Sequence, residues 1–563
     1  MIVAARSPGT VYSENDTLNY LEKVNVLHNI AKAVRDSYID TIDVGVLWDG
    51  AIQGMIDKLD PHSGYMPPRQ ALDFTEKIKG DFEGIGITFS MINDKITVIE
   101  VIPNGPSEKS GIRSRDKIVR IDGKDAVGLS IDEVKDKLRG PSRSKVATSV
   151  ERPGEDDLLE FTITRGNIEV NSVSHAYMLD ETTGYLAVTR FTLYTRLDVR
   201  KALEKLREQG MKRLVFDLRN NSGGSLDTAI GVADLFIEEG IIVSTKGRRR
   251  SDNRTWMAKN YAQDENIPMI VMINHRSASA SEIVAGALQD HDRSLIVGQT
   301  SFGKGLVMNT MEIKVEGEDN GTLVLSVARY YTPSGRLIQR PYTGSREEYI
   351  KEGFDDYDPN ALDEDKIDKP VYHTDLGREV FGGGGITPDF TLESIGTLNK
   401  LEWELRNANL FFDFADGYLD RHPEVPLDFN TFLSEYRVPT DEFERFRQFA
   451  LDKDVKINNV SLFRNDLKEI FAKYDIPAEA GEKLEQTLVS SGINLDETLF
   501  EKSRDFIERE IKQEIARMLW GSDERYKVWH ISDNELHEAL TYFDEAEGLL
   551  EKRIALGENV KDE

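Results

Sequence analysis

The chain contains no cysteine. That absence removes disulfide bonds, thiolate nucleophiles and cysteine-ligated metals, and it leaves the redox compartment unread. Long apolar runs are missing too, since no stretch approaches the roughly 18 residues of a membrane-spanning helix. The N-terminal segment MIVAARSPGTVYSENDTLNYLEK lacks a charged start followed by an apolar stretch, so no intact signal peptide is expected within it. Basic charge is in deficit: 71 Lys and Arg stand against 100 Asp and Glu, for a formal charge of −29. That balance argues against sequence-independent binding to nucleic acid or anionic membrane, local patches aside. The histidines, at 28, 62, 175, 275, 291, 373, 422, 530 and 537, show no HExxH or other tight ligand spacing. No P-loop occurs either, so neither a metal nor a nucleotide cofactor is expected.

What is present divides into four regions, as a chain of 563 residues should. Residues 1–80 carry apolar residues at helical spacing and end in LDPHSGYMPP, whose prolines and glycine stop helices. Residues 81–166 alternate short β-branched runs with Gly, Asn and Asp turns, which predicts a compact β-rich module with one or two helices. Residues 167–394 alternate strand and helix signals, from GYLAVTRF through RLVFDLR and MIVMIN to SLIVGQ, the pattern of an α/β layer with a largely parallel sheet. Within them, 343–370 are acidic and weakly apolar and are expected to form an exposed insertion. From 395 to 563 strand signals nearly vanish. There Ile507, Ile511 and Ile515 recur at helical spacing before Gly521, so this region is expected to be helical.

Three places in the α/β region have residues suited to chemistry. Residues 275–290 read HRSASASEIVAGALQD, and Ser279-Ala280-Ser281-Glu282 fits a capping box, so Ser277, Ser279 and Ser281 all stand near a helix start. The strand RLVFDLR runs into Asn220-Asn221-Ser222-Gly223-Gly224, where glycines let backbone amides approach a ligand as an oxyanion hole requires, or simply make a turn. The strand SLIVGQ runs into SFGKGLV, which sets Lys304 between glycines and beside apolar neighbours. Burial there would lower the amine's pKa and suit it to accept a serine proton. All three sites lie at the carboxyl ends of successive strands, where open α/β sheets hold ligands. A serine–lysine pair is the most economical catalytic reading. Gly382 to Gly385 read as a tight turn, and His62 as a residue satisfied within a turn.

With these motifs the chain resembles the carboxy-terminal processing proteases, serine peptidases of the S41 class. The resemblance rests on LDPHSGY (59–65), DLRNNSGGSLD (217–227), SASASEIVAGALQD (277–290), SFGKGLV (301–307), YYTPSGR (330–336) and GGITPD (384–389), in the family's order. It implies a multidomain fold: a helical N-terminal segment, a PDZ domain, a crotonase-like α/β protease core and a helical C-terminal region. It also implies Ser279 as nucleophile, because the family's lysine lies 25 positions after the middle serine, which matches Lys304 (304 − 279 = 25). Backbone amides of Gly223 or Gly224 and of Ala280 are the implied oxyanion donors. Gly84-Ile85-Gly86-Ile87 is the implied loop for a peptide's terminal carboxylate, consistent with capture by successive amides and pairing along a strand edge. The implied partners are polypeptides with free C-termini, with self-association through the helical termini a further possibility, and the implied location is the periplasm or cell envelope. One departure stands out. The family usually has a glutamine four residues after the lysine, and here that position is Met308, whose thioether cannot donate a hydrogen bond, while Asn309 is expected to face the other way. A peptide-binding scaffold with weak or lost turnover is therefore the alternative.

Overall fold

The structure, a computed structural model, describes residues 14–259, 266–314, 320–342, 345–354, 369–392, 398–426, 428–453, 483 and 495–561. Two helices, Glu14–Ser37 and Val44–Ile56, open the chain, and the Asp43 side chain caps the second by accepting from the Gly45 amide. The turn at Asp60 then leads into a short strand, Gly64–Met66, which pairs with Thr322–Val324 far along the sequence. Helix Pro68–Lys79 follows and stops at Gly80, whose φ of 79° is the left-handed conformation that glycine adopts freely.

Next comes the β-rich module. Strands Ile87–Ile92, Lys95–Val101, Lys117–Ile121, Lys145–Glu151 and Leu159–Thr164 form an antiparallel sheet with Ile87–Ile92 at one edge. Their inward residues, among them Ile96, Val98, Ile118, Val146 and Ile163, close over Val134 and Leu138 of helix Ile131–Leu138. That helix begins on a complete capping box between Ser130 and Glu133.

The site is carried by a six-stranded sheet in the spatial order Val173–Met178, Thr183–Val188, Arg213–Asp217, Met269–Ile273, Leu295–Gly298, Phe390–Thr391. Every pairing is parallel except the first. Its central strands are apolar throughout because both faces are covered. Leu214 and Phe216 pack with helices Thr195–Glu208, Leu226–Ala233 and Ala280–Asp290 on one side. Val215, Ile270 and Val297 face Leu536, Phe543 and Leu549 from the C-terminal helices on the other. Each such side chain contributes roughly 1.5–3 kcal/mol when fully buried.

A second sheet lies against this layer, made from Ile241–Gly247, Arg254–Met257, Leu306–Ile313, Gly321–Tyr331 and the early strand Gly64–Met66. The described side chains of the acidic stretch 343–370 are mostly exposed, as expected of an insertion, with Tyr349 the one buried among them. Residues Arg346–Phe354 form a helix, and Tyr349 is buried against Phe302 and His62, so one aromatic ring anchors a segment whose composition is otherwise polar. Residues 343–344 and 355–368 of that stretch lie outside the described residues, as do 454–482 and 484–494 of the helical C-terminal region.

The C-terminal helices make two sets of contacts. Phe411, Phe414, Phe446, Ile507, Ile511 and Ile515 form their own core, the three isoleucines in the periodic row read from the sequence. Arg219, buried at the end of strand Arg213–Asp217, pairs with Asp217, Asp533 and Glu535, which ties the last helices to the sheet. Toward the β-rich module, Arg115 pairs with Asp416, and Ile92 and Ile99 pack against Phe412. Among the described residues no helix is long and apolar enough to cross a membrane.

Candidate active site

The strands Arg213–Asp217, Met269–Ile273 and Leu295–Gly298 are spatial neighbours, so the three motifs at their carboxyl ends meet at one edge of the sheet. The three serines then differ in what their hydroxyls do. Ser277 Oγ donates to the Leu218 carbonyl at 2.8 Å, and Ser281 Oγ donates to the Asn221 carbonyl at 2.8 Å; both residues are buried. Ser279 is only half-buried, and its hydroxyl donates to no acceptor among the described residues. Its backbone has φ 55° and ψ −109°, a conformation a serine holds only when its surroundings enforce it.

The enforcing group is Glu282. Its carboxylate is buried and accepts four hydrogen bonds: from the Ser279 amide at 2.7 Å, the Ser301 hydroxyl at 2.6 Å, the Gly303 amide at 2.7 Å and the Lys304 amide at 2.9 Å. The sequence marked Glu282 as half of a capping box. In the structure that side chain also staples the serine turn to the lysine loop. Burial pushes the Glu282 carboxyl up, and these hydrogen bonds offset the rise only in part. Tyr330 adds a second tie, its hydroxyl within reach of the carbonyls of Lys304 (2.6 Å) and Ser279 (3.1 Å).

The Lys304 side chain is partly buried, and burial lowers its pKa from the usual lysine value; the negative charges of Glu282 and Asp60 oppose the fall without cancelling it. Among the described residues no hydrogen bond joins its amine to Ser279 Oγ.

Of the two glycines, Gly223 has already spent its amide on Asn221 Oδ1 at 2.9 Å, whereas the amides of Gly224 and Ala280 make no hydrogen bond among the described residues. Gly223 still matters sterically. A Cβ there would lie 2.8 Å from both Ala280 N and Ser279 Cβ, so only glycine admits the close approach of the two loops. At Gly224, φ is 147° and a Cβ would meet the Phe191 carbonyl oxygen at 2.1 Å. The serine and both amide donors thus converge on one edge.

Around Lys304 lies a set of residues that the motif reading did not foresee. Asp60 accepts from the amides of His62 and Ser63 and from the hydroxyls of Ser63 and Ser326. Burial raises its pKa, yet these four bonds outweigh that effect and hold the carboxyl below its usual value. Ser326 is paired with Met308 across the ladder, its oxygen 3.3 Å from the sulfur. Its one proton goes to the Asp60 carboxylate, the far stronger acceptor. Met308, on the strand that follows Lys304, therefore meets Ser326 with a sulfur that receives no proton, and Asn309 is exposed, as the alternation of a strand leads one to expect.

His62 sits in its turn as expected, but the turn lies against the lysine loop. Its ring contacts Phe302, and Nε2 is 3.2 Å from Tyr349 Oη; Gln339 links that hydroxyl to the Gly305 amide. Burial, reinforced by the charge of Lys304, lowers the imidazole's pKa to about 4, so it is neutral near pH 7. The turn's effect on the loop is a long-range contact, which no local motif encodes.

In the β-rich module the implied carboxylate loop is divided. Gly84 ends a strand paired to Gly166, and Ile87 begins the edge strand. Between them, Ile85 and Gly86 use their carbonyls on the amides of Ser107 and Ile102, while their own amides make no hydrogen bond among the described residues. No group of acidic and histidine residues that could hold a metal ion occurs among the described residues.

Comparison with known proteins agrees with this layout. Family models match for peptidase family S41 over residues 182–344, a PDZ domain over 97–152, the "Activating protease CtpB N-terminal domain" over 5–69 and the "Probable PDZ-protease, C-terminal helical domain" over 401–543. A carboxy-terminal-processing protease of Bartonella bacilliformis is 41% identical over 343 residues, 60% of this chain and 77% of that protein. A "Probable CtpA-like serine protease" of Staphylococcus aureus is 34% identical over 318 residues, 56% of this chain and 62% of that one. Among solved structures, a photosystem II D1 C-terminal processing protease aligns over 70% of this chain and 96% of its own, with 24% identity and a TM-score of 0.34. The chain thus belongs to the carboxy-terminal-processing serine proteases of peptidase family S41, with a PDZ domain between its helical N-terminal region and its protease core.

Proposed function

We propose that the protein is an endopeptidase that takes up polypeptides by their free C-termini and cleaves them with Ser279 as nucleophile and Lys304 as general base. The observation that carries this reading is the division of labour among the serines: two hydroxyls are committed to backbone carbonyls, and the third is free to donate at the end of the Glu282 staple. Lys304 takes the Ser279 proton as Oγ attacks the scissile carbonyl. The amides of Ala280 and Gly224 receive the developing oxyanion, aided by the start of helix Ala280–Asp290. The ammonium then protonates the leaving amine, and water releases the acyl group by the same steps in reverse roles. The amides of Ile85 and Gly86 receive the substrate's terminal carboxylate, and the free edge of Ile87–Ile92 pairs with its last residues.

A catalytically weak or inactive peptide-binding scaffold is a second reading, favoured by Met308 at the position where the family usually has a glutamine. Self-association is supported by the exposed apolar row Leu21, Val24, Leu27 and Ile30 on the first helix. The proposed location, periplasm or cell envelope, follows the family resemblance. Hydrolysis of an unfolded polypeptide by the parent protein, lost in both Ser279→Ala and Lys304→Ala, is the expected outcome. Undiminished hydrolysis by either variant would contradict the assignment.

A further inference from the structure

Against the overall charge of −29, one hairpin is strongly cationic. Strands Ile241–Gly247 and Arg254–Met257 are joined by a tight turn at Arg250–Asp252. Lys246, Arg248, Arg249, Arg250 and Arg254 are all exposed there, and Asp252 is the only carboxylate between Lys246 and Arg254. Arg329, also exposed, is the ladder partner of Lys246 on the next strand. Lys246 lies 4.6 Å from the Tyr331 ring centre and Arg254 donates to the Ser251 carbonyl, but none of the six makes an ion pair among the described residues.

The register places this patch beside the reaction centre. Lys246 pairs with Arg329, and Arg329 pairs with Leu306, two residues past Lys304. Two ladder steps of about 4.8 Å put the Lys246 backbone roughly 10 Å from that of Leu306. Tyr330, next to Arg329 on the strand, points to the opposite face, where its hydroxyl reaches the carbonyls of both Ser279 and Lys304, so the cations lie on the outer face of the same strand. A row of cations with no ion pair among the described residues therefore begins at Arg329, one strand from Leu306, and continues through Lys246 to the hairpin tip.

We propose that this hairpin is a docking surface for an acidic stretch of the polypeptide substrate, held alongside the segment being cleaved. The proposal rests on the peptidase reading above and adds a substrate class to it. An extended peptide rises about 3.3 Å per residue, so a handful of Asp and Glu residues spans the row. Lys246 in that row lies about 10 Å, backbone to backbone, from the strand that follows Lys304, close enough for one extended substrate to reach both, which favours an acidic peptide over an anionic lipid surface.

The test uses the full chain and quenched peptides that share one cleavage segment and one free C-terminus. They carry a six-residue Asp/Glu tract or its Asn/Gln counterpart on either side of that segment. The parent is expected to show about tenfold higher kcat/KM for an acidic peptide in at least one placement, the lower end of electrostatic focusing, and to lose the preference near 0.5 M salt. The variant Arg248→Gln/Arg249→Gln/Arg250→Gln should lose the preference while cleaving the neutral peptide at the parent rate. Arg248→Glu/Arg249→Glu/Arg250→Glu should disfavour the acidic peptide. No preference in the parent, a preference retained in both variants, or equal losses on both peptides would overturn the proposal. So would an intact preference accompanied by lost binding to vesicles of anionic phospholipid. Ser279→Ala, run in parallel, tests the nucleophile separately: continued cleavage there would overturn the serine assignment and leave the charge preference measurable.

Discussion

Replacing Glu282 by glutamine tests the joint between the serine turn and the lysine loop. The carboxylate accepts two hydrogen bonds on each oxygen, from Ser301 and Gly303 on one and from Ser279 and Lys304 on the other. A glutamine keeps one acceptor oxygen and turns an NH2 toward the remaining two donors. Each buried donor left without a partner costs about 1–3 kcal/mol. Burial dominates the carboxyl's raised pKa, so its extra stability belongs to the protonated form and is lost as pH rises through the folded pKa. Ionisation itself thus gives no added stability at pH 7, and the loss on substitution comes from the two missing acceptors, about 2–6 kcal/mol in all. Urea unfolding at pH 7 reads this directly. Because the same bonds hold Ser279 at positive φ and fix the Lys304 backbone, a shift of about 1 Å between the loops should also cut kcat by about 10²-fold. A Glu282→Gln protein with parent stability and parent kcat would show that the carboxylate does not join the two loops.

Other outcomes follow from the same geometry. The acid limb of kcat/KM should have its midpoint below the ordinary lysine pKa, because burial favours the neutral amine of Lys304. That limb should persist in His62→Gln, since His62 is already neutral above its pKa of about 4. Met308→Gln should raise kcat, by about tenfold if the restored hydrogen bond contributes roughly 1.4 kcal/mol in the transition state, and an unchanged kcat would mean that another group orients the amine. Amidating the C-terminus of a peptide should weaken its binding to the full chain by about 1.5–3 kcal/mol in calorimetry, with equal affinities arguing against the Ile85–Gly86 loop. His62 and His530 both have pKa values lowered to about 4, chiefly by burial, so they bind fewer protons folded than unfolded; the urea midpoint should fall as pH drops from about 6.5 toward 4, more steeply than in His530→Gln.

Local pattern explains why so much of this molecule is legible in its sequence. Apolar runs such as RLVFDLR and MIVMIN mark strands buried on two faces, and glycines mark the turns where the loops must approach. The side chains that complete the site are less visible because they come from far away. Asp60 reaches Ser326, His62 reaches Tyr349, and Tyr349 rides on a helix inside a stretch whose charge suggested only exposure. Glu282 was marked for its local cap, while its bonds to Ser301, Gly303 and Lys304 depend on how two neighbouring strands stack. The second cover of the sheet has the same character. The apolar row of the C-terminal helices predicts helices, but not that Leu536 and Phe543 close the far face of strands some hundreds of residues earlier.

Covalent labelling tests the nucleophile and its base together. The parent protein, treated with a serine-directed acylating reagent and digested for mass mapping, should carry the acyl group on Ser279 and on neither Ser277 nor Ser281. Lys304→Ala should label far more slowly at neutral pH while unfolding at the parent urea concentration. Label on another serine, or undiminished labelling of Ser279 in the Lys304→Ala protein, would contradict the serine–lysine mechanism.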